Sequence, residues 1–324
     1  MCSYPVASIY WRAKVFEANK TKTNLQEYPA ISSRSRSHEE VAMGEISDPE
    51  RQTAPETTQE KVEIPSMGYE GLDLGGKVAV VIGGTSGIGR VIACGLAKAG
   101  ADVVPTSRRA EMVEKTADQI EALGRRSLRV RSDVLDRASL DHLLNAVLMA
   151  FGKVDILVNA AGRTKRTPIL EVDEKEWNEI LETNLTGALR AGQIFGRHMV
   201  ERRYGRIIHI ASLSSFVALY EVAAYGASKS ALASLTRTMA VEWAGFGVCV
   251  NAIMPGVFRT ALNAELLDGT PRGQEFLMRT PMKRFGKVEE LVGAAVFLAS
   301  DAASFVTGTI LQVDGGFLAS AVNQ

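Results

Sequence analysis

Residues 78–89 read Val78-Ala79-Val80-Val81-Ile82-Gly83-Gly84-Thr85-Ser86-Gly87-Ile88-Gly89. A short apolar run enters a glycine-rich turn, and an amphipathic helical pattern follows at once. The spacing G-x-x-x-G-x-G lets the backbone approach a pyrophosphate, and the N-terminus of the following helix supplies free N–H groups. A glycine cluster can also be a purely structural turn, but its position after the first strand favours a phosphate site. The absence of a Gly-Lys-Ser/Thr sequence excludes a P-loop kinase or ATPase.

Beyond this turn, short β-branched runs alternate with longer amphipathic segments. Near-continuous apolar strands separated by helices predict a parallel sheet covered on both faces. We therefore predict an α/β fold, a doubly wound Rossmann-type parallel sheet of seven strands with helices on both faces. The predicted strands cover residues 78–82, 102–104, 128–130, 155–158, 207–210, 248–250 and 310–313.

Composition excludes several classes of protein. The 324 residues are 46% hydrophobic, and 37 basic residues balance 37 acidic ones. A net charge of zero gives no sign of the basic surface that nucleic-acid binding requires. No run of roughly 18 or more apolar residues occurs, so we predict no membrane-spanning helix. The cysteines and histidines lack metal-ligand spacing, so we expect no metal, free thiols and a cytoplasmic location.

The sequence changes character near residue 66. Residues 32–63 contain no aromatic side chain and are rich in Ser, Arg, Thr, Gln and Glu, a composition that cannot bury enough apolar surface to fold alone. We predict an N-terminal extension over residues 1–70, disordered or poorly packed, and one catalytic domain over residues 71–324. Two interpretations of the extension stay open: an over-extended start with Met67 as the initiator, or a segment that folds on a partner.

The end of the second predicted strand bears on the choice of cofactor. An acidic residue about 20 positions after the glycine turn would mark an NAD site. Here the strand ends at Ser107, Arg108 and Arg109, and Asp102 lies at its other end. Arginine beside a hydroxyl suits a 2′-phosphate through charge-assisted hydrogen bonds. We expect NADP(H) to be favoured over NAD(H).

Three polar residues form a candidate catalytic group. Tyr225 and Lys229 are four residues apart on a predicted helix and therefore share one face. An ammonium beside a phenol lowers the pKa of the phenol towards the range of a general acid/base. Ser212 follows the fifth strand at the carboxyl edge of the sheet, where its hydroxyl would hydrogen-bond a reacting carbonyl oxygen.

Together these motifs resemble the short-chain dehydrogenase/reductase family over about residues 72–320. The resemblance implies that Tyr225 is the general acid/base, that Ser212 orients the substrate carbonyl, and that Lys229 binds the nicotinamide ribose. Asn184 matches the residue that holds a proton-relay water. Ile82 and Ala160 depart from the family pattern, which often has Thr and Asn there. The residues expected at the cofactor are Gly83, Thr85, Ser86, Gly87, Ile88, Gly89, Ser107, Arg108, Arg109, Asp133, Val134, Asn159, Ala160, Ala161, Gly162, Tyr225, Lys229, Pro255, Gly256, Val257 and Thr260.

Three functions are compatible with this pattern. The first is an NAD(P)(H)-dependent oxidoreductase that moves a hydride between nicotinamide and a secondary alcohol or ketone of a sugar acid or polyol, similar to gluconate 5-dehydrogenase-type members. The second is a 3-oxoacyl-[acyl-carrier-protein] reductase, and the third a non-catalytic nucleotide-binding scaffold. Arg163, Ser214 and Tyr220 are candidate substrate residues. Arg163 with Lys165 and Arg166 predicts a basic mouth that would steer an anionic substrate. The resemblance also implies a homotetramer or a homodimer.

Overall fold

The computed structural model describes residues 70–260 and 263–321. The predicted N-terminal extension, apart from Glu70, lies outside the described residues, as do both interpretations of its role. Most of the predicted domain of residues 71–324 lies within them.

The described residues form one parallel sheet. Its strands are β1 (Val78–Ile82), β2 (Asp102–Thr106), β3 (Ile156–Asn159), β4 (Gly205–Ile210), β5 (Val248–Pro255) and β6 (Ile310–Val313), in the order β2-β1-β3-β4-β5-β6. Val80 in β1 lies opposite both Val104 in β2 and Leu157 in β3. The strand order reverses between β1 and β3, and a doubly wound sheet binds its ligand outside the carboxyl ends at this point. The predicted α/β architecture is confirmed.

The prediction of a seventh strand at residues 128–130 is wrong, because the described residues hold six. The Val103 N–H of β2 donates to the Arg126 carbonyl at 3.1 Å, so this side of β2 faces the segment of residues 126–130. Two residues further on, Pro105 has no N–H for the next bond of a parallel ladder. The Ser127 hydroxyl, not a backbone N–H, donates to the Val103 carbonyl at 2.8 Å. The segment therefore follows β2 without pairing as a strand.

Helices connect the strands. They are α1 (Gly87–Lys98), α2 (Ala110–Glu121), α3 (Arg137–Phe151), α4 (Glu174–Leu181), α5 (Gly187–Arg202), α6 (Ala223–Trp243), α7 (Ala264–Leu267), α8 (Pro271–Arg279) and α9 (Val292–Ala299). A π-helical turn, Glu182–Thr186, joins α4 to α5. Short 3-10 turns occur at Glu70–Leu72, Ile169–Glu171, Leu213–Ser215, Ala244–Phe246, Val288–Leu291 and Asp301–Ala303.

Both faces of the sheet are covered. Alternate residues of β1 point to opposite sides, as the pleat of a strand requires. Val81 belongs to an apolar cluster with Leu96 of α1 and Leu298 of α9. Val80 belongs to a second cluster with Phe195 of α5. All five residues of β1 are buried, which explains why this strand has an unbroken apolar run.

The amino edge of the sheet is held by ion pairs. The Asp155 carboxylate accepts a hydrogen bond from the Val78 N–H at 2.9 Å and pairs with Arg202 at 3.1 Å. Asp102, the first residue of β2, pairs with Arg126 at 2.7 Å. These contacts fix the starts of the strands, and the carboxyl ends face the loops of the opposite edge.

Within the described ranges, no helix is both long and apolar enough to cross a membrane. In the same part of the chain, no three His, Cys, Asp or Glu side chains converge as metal ligands would. Cys94 and Cys249 are free thiols.

Candidate active site

The glycine turn follows β1 at the carboxyl edge of the sheet. Gly83 has φ of +77°, and a Cβ atom there would lie 2.6 Å from the Ala161 nitrogen. A Cβ atom on Gly89 would lie 2.2 Å from the Gly83 carbonyl oxygen. Both positions therefore exclude larger residues. Gly87 has no atom within 4 Å of its Cβ position, and the Ser86 side chain makes no capping bond to α1. The first N–H groups of α1 thus face a cleft that a phosphate can enter.

The cleft has a volume of about 770 Å³. It runs from the end of β2 across the glycine turn to Tyr225 and the loop after β5. Most of the predicted cofactor residues line it, including Gly83, Thr85, Ser86, Gly87, Ile88, Gly89, Ser107, Arg108, Arg109, Asp133, Val134, Ala160, Ala161, Gly162, Tyr225, Lys229, Pro255, Gly256, Val257 and Thr260. Asn159 does not line the cleft, because its side chain is buried and its Nδ2 lies 3.2 Å from Nδ1 of His209.

The end of β2 carries cations and no carboxylate. Arg108 and Arg109 are exposed at the cleft. The Thr85 hydroxyl donates to the Ser107 hydroxyl at 2.8 Å, which ties the glycine turn to this end of β2. Asp102 lies at the opposite edge of the sheet in its pair with Arg126. The arrangement matches the charge pattern expected for a bound 2′-phosphate.

Tyr225 and Ser212 meet in the cleft. Burial raises the pKa of the Tyr225 phenol, and its side-chain hydrogen bond with Ser212 lowers it. Ser212 follows β4, and its hydroxyl also accepts a hydrogen bond from the Ser214 N–H at 3.2 Å. The two hydroxyl groups can therefore both hydrogen-bond a single oxygen atom of a substrate.

Lys229 lies one helical turn after Tyr225, with its Nζ 5.7 Å from the centre of the phenol ring. The ammonium donates to the Ile210 carbonyl at 2.7 Å. Burial lowers the pKa of Lys229 to about 8. In this structure the ammonium is engaged by the end of β4, and the pKa of the phenol is shifted by burial and by Ser212, not by Lys229.

Asn184 is buried in the π-helical turn. Its Nδ2 donates to the Arg163 carbonyl at 2.9 Å and to the Ser228 hydroxyl at 3.0 Å. A Cβ atom on Gly162 would lie 3.4 Å from Asn184 Oδ1 and 3.7 Å from Lys229 Nζ. Asn184 Oδ1 and Lys229 Nζ therefore both lie beside Gly162. Wide turns of this kind occur often at functional sites.

Ser228 is a site residue that sequence reasoning missed. Its hydroxyl donates to the Tyr225 carbonyl at 2.7 Å while it accepts from Asn184. The side chain thereby links the π-helical turn to the first turn of α6. The sequence signal that could have found Ser228 is its position three residues after Tyr225. Its other partner, Asn184, is 44 residues away in sequence, so spacing does not show this link.

The three cations of the predicted basic mouth are each paired with a carboxylate. Arg163 pairs with Glu179 at 2.7 Å, and Lys165 pairs with Glu176 at 2.6 Å. Arg166 pairs with Glu221. The loop is thus far less cationic than its sequence predicts.

The other two candidate substrate residues lie outside the cleft. Ser214 is buried, and its hydroxyl has no partner among the described residues. Tyr220 is 78% exposed and lines a second cavity of about 950 Å³. The walls of this cavity are largely apolar, and Leu219, Arg272 and Phe276 line both it and the cleft. Sequence reasoning missed Arg272 because α8 begins far from every recognisable motif.

Comparisons with known proteins place this geometry among dehydrogenases and reductases. The profile of a family described as enoyl-(acyl carrier protein) reductase matches residues 83–318. Gluconate 5-dehydrogenase of Gluconobacter oxydans (strain 621H) is 39% identical over 247 residues, which are 76% of this chain and 96% of that protein. The 2-dehydro-3-deoxy-D-gluconate 5-dehydrogenase of Pseudoalteromonas atlantica is 41% identical over 250 residues, 77% of this chain and 98% of that protein. A crystal structure of a gluconate 5-dehydrogenase from Burkholderia cenocepacia J2315, in complex with NADP and tartrate, is similar with a TM-score of 0.75 and 36% identity, covering 78% of this chain and 99% of that chain.

Proposed function

The chain belongs to the short-chain dehydrogenase/reductase family, and from this premise we propose that it interconverts a secondary alcohol and a ketone of a sugar acid with NADP(H). It is an oxidoreductase that acts on CH–OH groups with NAD(P), so the scaffold hypothesis is set aside. One observation carries the proposal: Tyr225, Ser212 and Lys229 line the same cleft as the glycine turn.

Tyr225 and Ser212 handle the substrate oxygen. When a ketone is reduced, the Tyr225 phenol gives its proton to the carbonyl oxygen, and the Ser212 hydroxyl donates a hydrogen bond to the same atom. In the reverse direction the alcohol returns its proton to the phenolate. The bound nicotinamide supplies or accepts the hydride.

The proton that Tyr225 gives up is replaced through Lys229 and Asn184. Lys229 Nζ and Asn184 Oδ1 face each other across Gly162. Because burial lowers the pKa of Lys229 to about 8, the lysine can exchange a proton near neutral pH. We assign to these two side chains the passage of a proton between Tyr225 and the surroundings.

The residues of the cleft fit a dinucleotide with a 2′-phosphate. The glycine turn and the uncapped N-terminus of α1 suit a pyrophosphate. Arg108 and Arg109 at the end of β2 suit the additional phosphate. The NADP bound to the Burkholderia cenocepacia relative supports the same preference.

The substrate class is supported by the relatives. Two proteins that match nearly their whole length are named for gluconate and 2-dehydro-3-deoxy-D-gluconate. Both compounds are sugar acids with several hydroxyl groups. A polar, carboxylate-bearing substrate of this size suits the open cleft beside Tyr225.

A 3-oxoacyl-[acyl-carrier-protein] reductase remains the second candidate. The apolar cavity of about 950 Å³ beside the cleft would suit an acyl chain. The matching family profile is also described by an acyl-carrier-protein substrate.

A substrate panel separates the two candidates. NADPH oxidation is measured by absorbance with 5-ketogluconate and with an acetoacetyl thioester, and NADP⁺ reduction is measured with 2-dehydro-3-deoxy-gluconate. We expect turnover of sugar acids at a kcat/KM at least about 100-fold above that of the thioester, and a lower KM for NADPH than for NADH. Preferential turnover of the thioester would contradict the proposed substrate, and equal use of the two cofactors would contradict the NADP(H) preference.

A further inference from the structure

Arg272 is a cationic residue shared by the cleft and the apolar cavity. It lies in the first turn of α8, and with Leu219 and Phe276 it forms the wall between the two spaces. Its side chain is half-buried. The guanidinium lies 5.6 Å from the centre of the Phe276 ring, one helical turn away.

Arg272 forms no ion pair among the described residues, although Glu221 and Glu275 lie near enough to interact with its charge. The neighbouring acids have other partners, since Glu221 pairs with Arg166 and Glu275 pairs with Arg279. The described residues place no carboxylate within 4.0 Å of Arg272. Its terminal nitrogens reach only the Tyr220 carbonyl, at 3.3 and 3.4 Å.

One nitrogen of this guanidinium has no hydrogen bond at all. Nε of Arg272 is buried and has no partner among the described residues. Burial lowers the pKa of Arg272, as expected for a cation without a paired anion. A buried donor without a partner is destabilising unless a ligand provides the acceptor.

The start of α8 holds Arg272 in place. The Thr270 hydroxyl accepts a hydrogen bond from the Gly273 N–H at 3.0 Å and donates to the Leu266 carbonyl at 2.7 Å. A Cβ atom on Gly273 would lie 1.8 Å from the Leu267 carbonyl oxygen. This close approach packs the start of α8 against α7, which fixes the backbone position from which Arg272 extends.

We propose that Arg272 binds the carboxylate of the substrate and sets the preference for sugar acids over uncharged ketoses. The inference rests on the proposed function and names the residue that selects the substrate class. A guanidinium presents planar, parallel N–H donors that match the two oxygens of a carboxylate. The cations at 163, 165 and 166 already hold carboxylates of the protein, which leaves Arg272 to hold that of the substrate.

The first test compares two ketones that differ only in the charged group. L-Sorbose carries a hydroxymethyl group where 5-ketogluconate carries its carboxylate. In Arg272→Gln we expect the KM for 5-ketogluconate to rise about 10- to 100-fold, the loss typical of charge-assisted hydrogen bonds. The kcat/KM for L-sorbose should stay within about twofold. The KM of Arg272→Lys for 5-ketogluconate should lie between those of the wild type and Arg272→Gln, because lysine keeps the charge but lacks the paired N–H donors of a guanidinium.

The control variant is Lys115→Gln, which removes one positive charge from an exposed position on α2. It should leave both KM values unchanged, which separates a local contact from the overall charge. The NADPH dissociation constant and the circular dichroism spectrum of Arg272→Gln should equal those of the wild type. A KM for 5-ketogluconate that is unchanged in Arg272→Gln would overturn the proposal.

The second test measures binding without turnover. D-Gluconate is titrated calorimetrically into NADP⁺ complexes of Tyr225→Phe and of Tyr225→Phe with Arg272→Gln. We expect binding only where Arg272 is present. Arg272-dependent gluconate binding by an enzyme that turns over no sugar acid would refute the proposed function and support the carboxylate site. Equal binding by both variants, or binding by neither, would refute the carboxylate site.

Discussion

Tyr225 is half-buried at the cleft and neutral at physiological pH, and its surroundings suit the direction of ketone reduction. Burial raises the pKa of the phenol, so the group holds its proton until a substrate oxygen arrives. The Ser212 side chain lines the same cleft beside it. The phenol therefore acts as an acid without an alkaline medium, and as a base only once an alcohol is bound beside it.

Removal of this hydroxyl tests its role. In Tyr225→Phe we expect kcat to fall about 10²- to 10⁴-fold, the usual contribution of a general acid, with the NADPH dissociation constant nearly unchanged. Tyr204→Phe is the matched control, because Tyr204 bonds Asp301 at 2.9 Å at the opposite edge of the sheet. Steady-state kinetics and fluorescence titration measure both quantities. A fully active Tyr225→Phe enzyme would refute the assignment.

His209 gives the fold a dependence on acid pH. Its ring is completely buried in β4, and burial lowers its pKa to about 3. In the unfolded chain a histidine has a pKa near 6.5. Below that pH the unfolded state binds a proton that the folded state does not bind. The free energy of unfolding therefore falls as the pH decreases from about 6.5 towards 3.

A variant without the His209 imidazole should show less of this loss. Between pH 6.5 and pH 4.5, the free energy of unfolding of the wild type should fall by about 2 kcal/mol more than that of His209→Leu. Urea unfolding at the two pH values measures the difference. Parallel pH profiles for the two proteins would show that His209 accepts its proton in the folded state.

Residue spacing was enough to find Ser212, Tyr225 and Lys229, because their roles follow from chemistry within one helix and one strand end. It could not reveal Ser228 or Arg272. Ser228 acquires its role through Asn184, and Arg272 through cations and acids of other elements, so both depend on contacts between distant segments.

At the scale of the element, β1 and β6 were predicted to the residue, and the ends of the other four strands were predicted within one to five residues. Unbroken apolar runs mark strands that are buried on both faces. The same signal fails at Leu128-Arg129-Val130, because a strand also needs a partner with free donors. Pro105 withholds that donor, and a pattern confined to residues 128–130 cannot show it.

Replacement of this proline should extend the sheet. In Pro105→Val we expect a new N–H to donate to the Leu128 carbonyl, continuing the bond from Val103 to Arg126. Amide exchange at residues 128–130 should slow roughly five- to tenfold, as a net hydrogen bond of about 1 kcal/mol implies. Hydrogen–deuterium exchange with mass spectrometry reports this change, with β1 peptides as the internal reference. Unchanged exchange at residues 128–130 would mean that more than one donor is missing.

At the scale of the whole molecule, net charge is a poor guide to the site. The chain has no net charge, yet the cleft presents Arg108 and Arg109 at one end and Arg272 at the other. We propose residues 71–324 as the catalytic domain, and the N-terminal extension stays a prediction.

The described surface supports the proposal of a homo-oligomer. β6 is an edge strand of the sheet, and edge strands are usually covered. Val241 on α6 is 82% exposed and Phe305 is fully exposed. Light scattering after size-exclusion chromatography should give two or four times the chain mass of 35.0 kDa, and Val241→Lys should lower it. A wild-type protein with the mass of one chain would refute the oligomer.

Residues that stabilise the sheet lie at its amino edge, and the candidate substrate residues lie at its carboxyl edge. Asp155 and Asp102 fix the strands at the amino edge, while the candidate substrate contacts lie in loops and in α8 at the other. Mutations at the second edge leave the first set of ion pairs intact. The architecture is therefore highly evolvable: successive substitutions around Arg272 can adapt the enzyme to new substrates while the ion pairs of the amino edge stay in place.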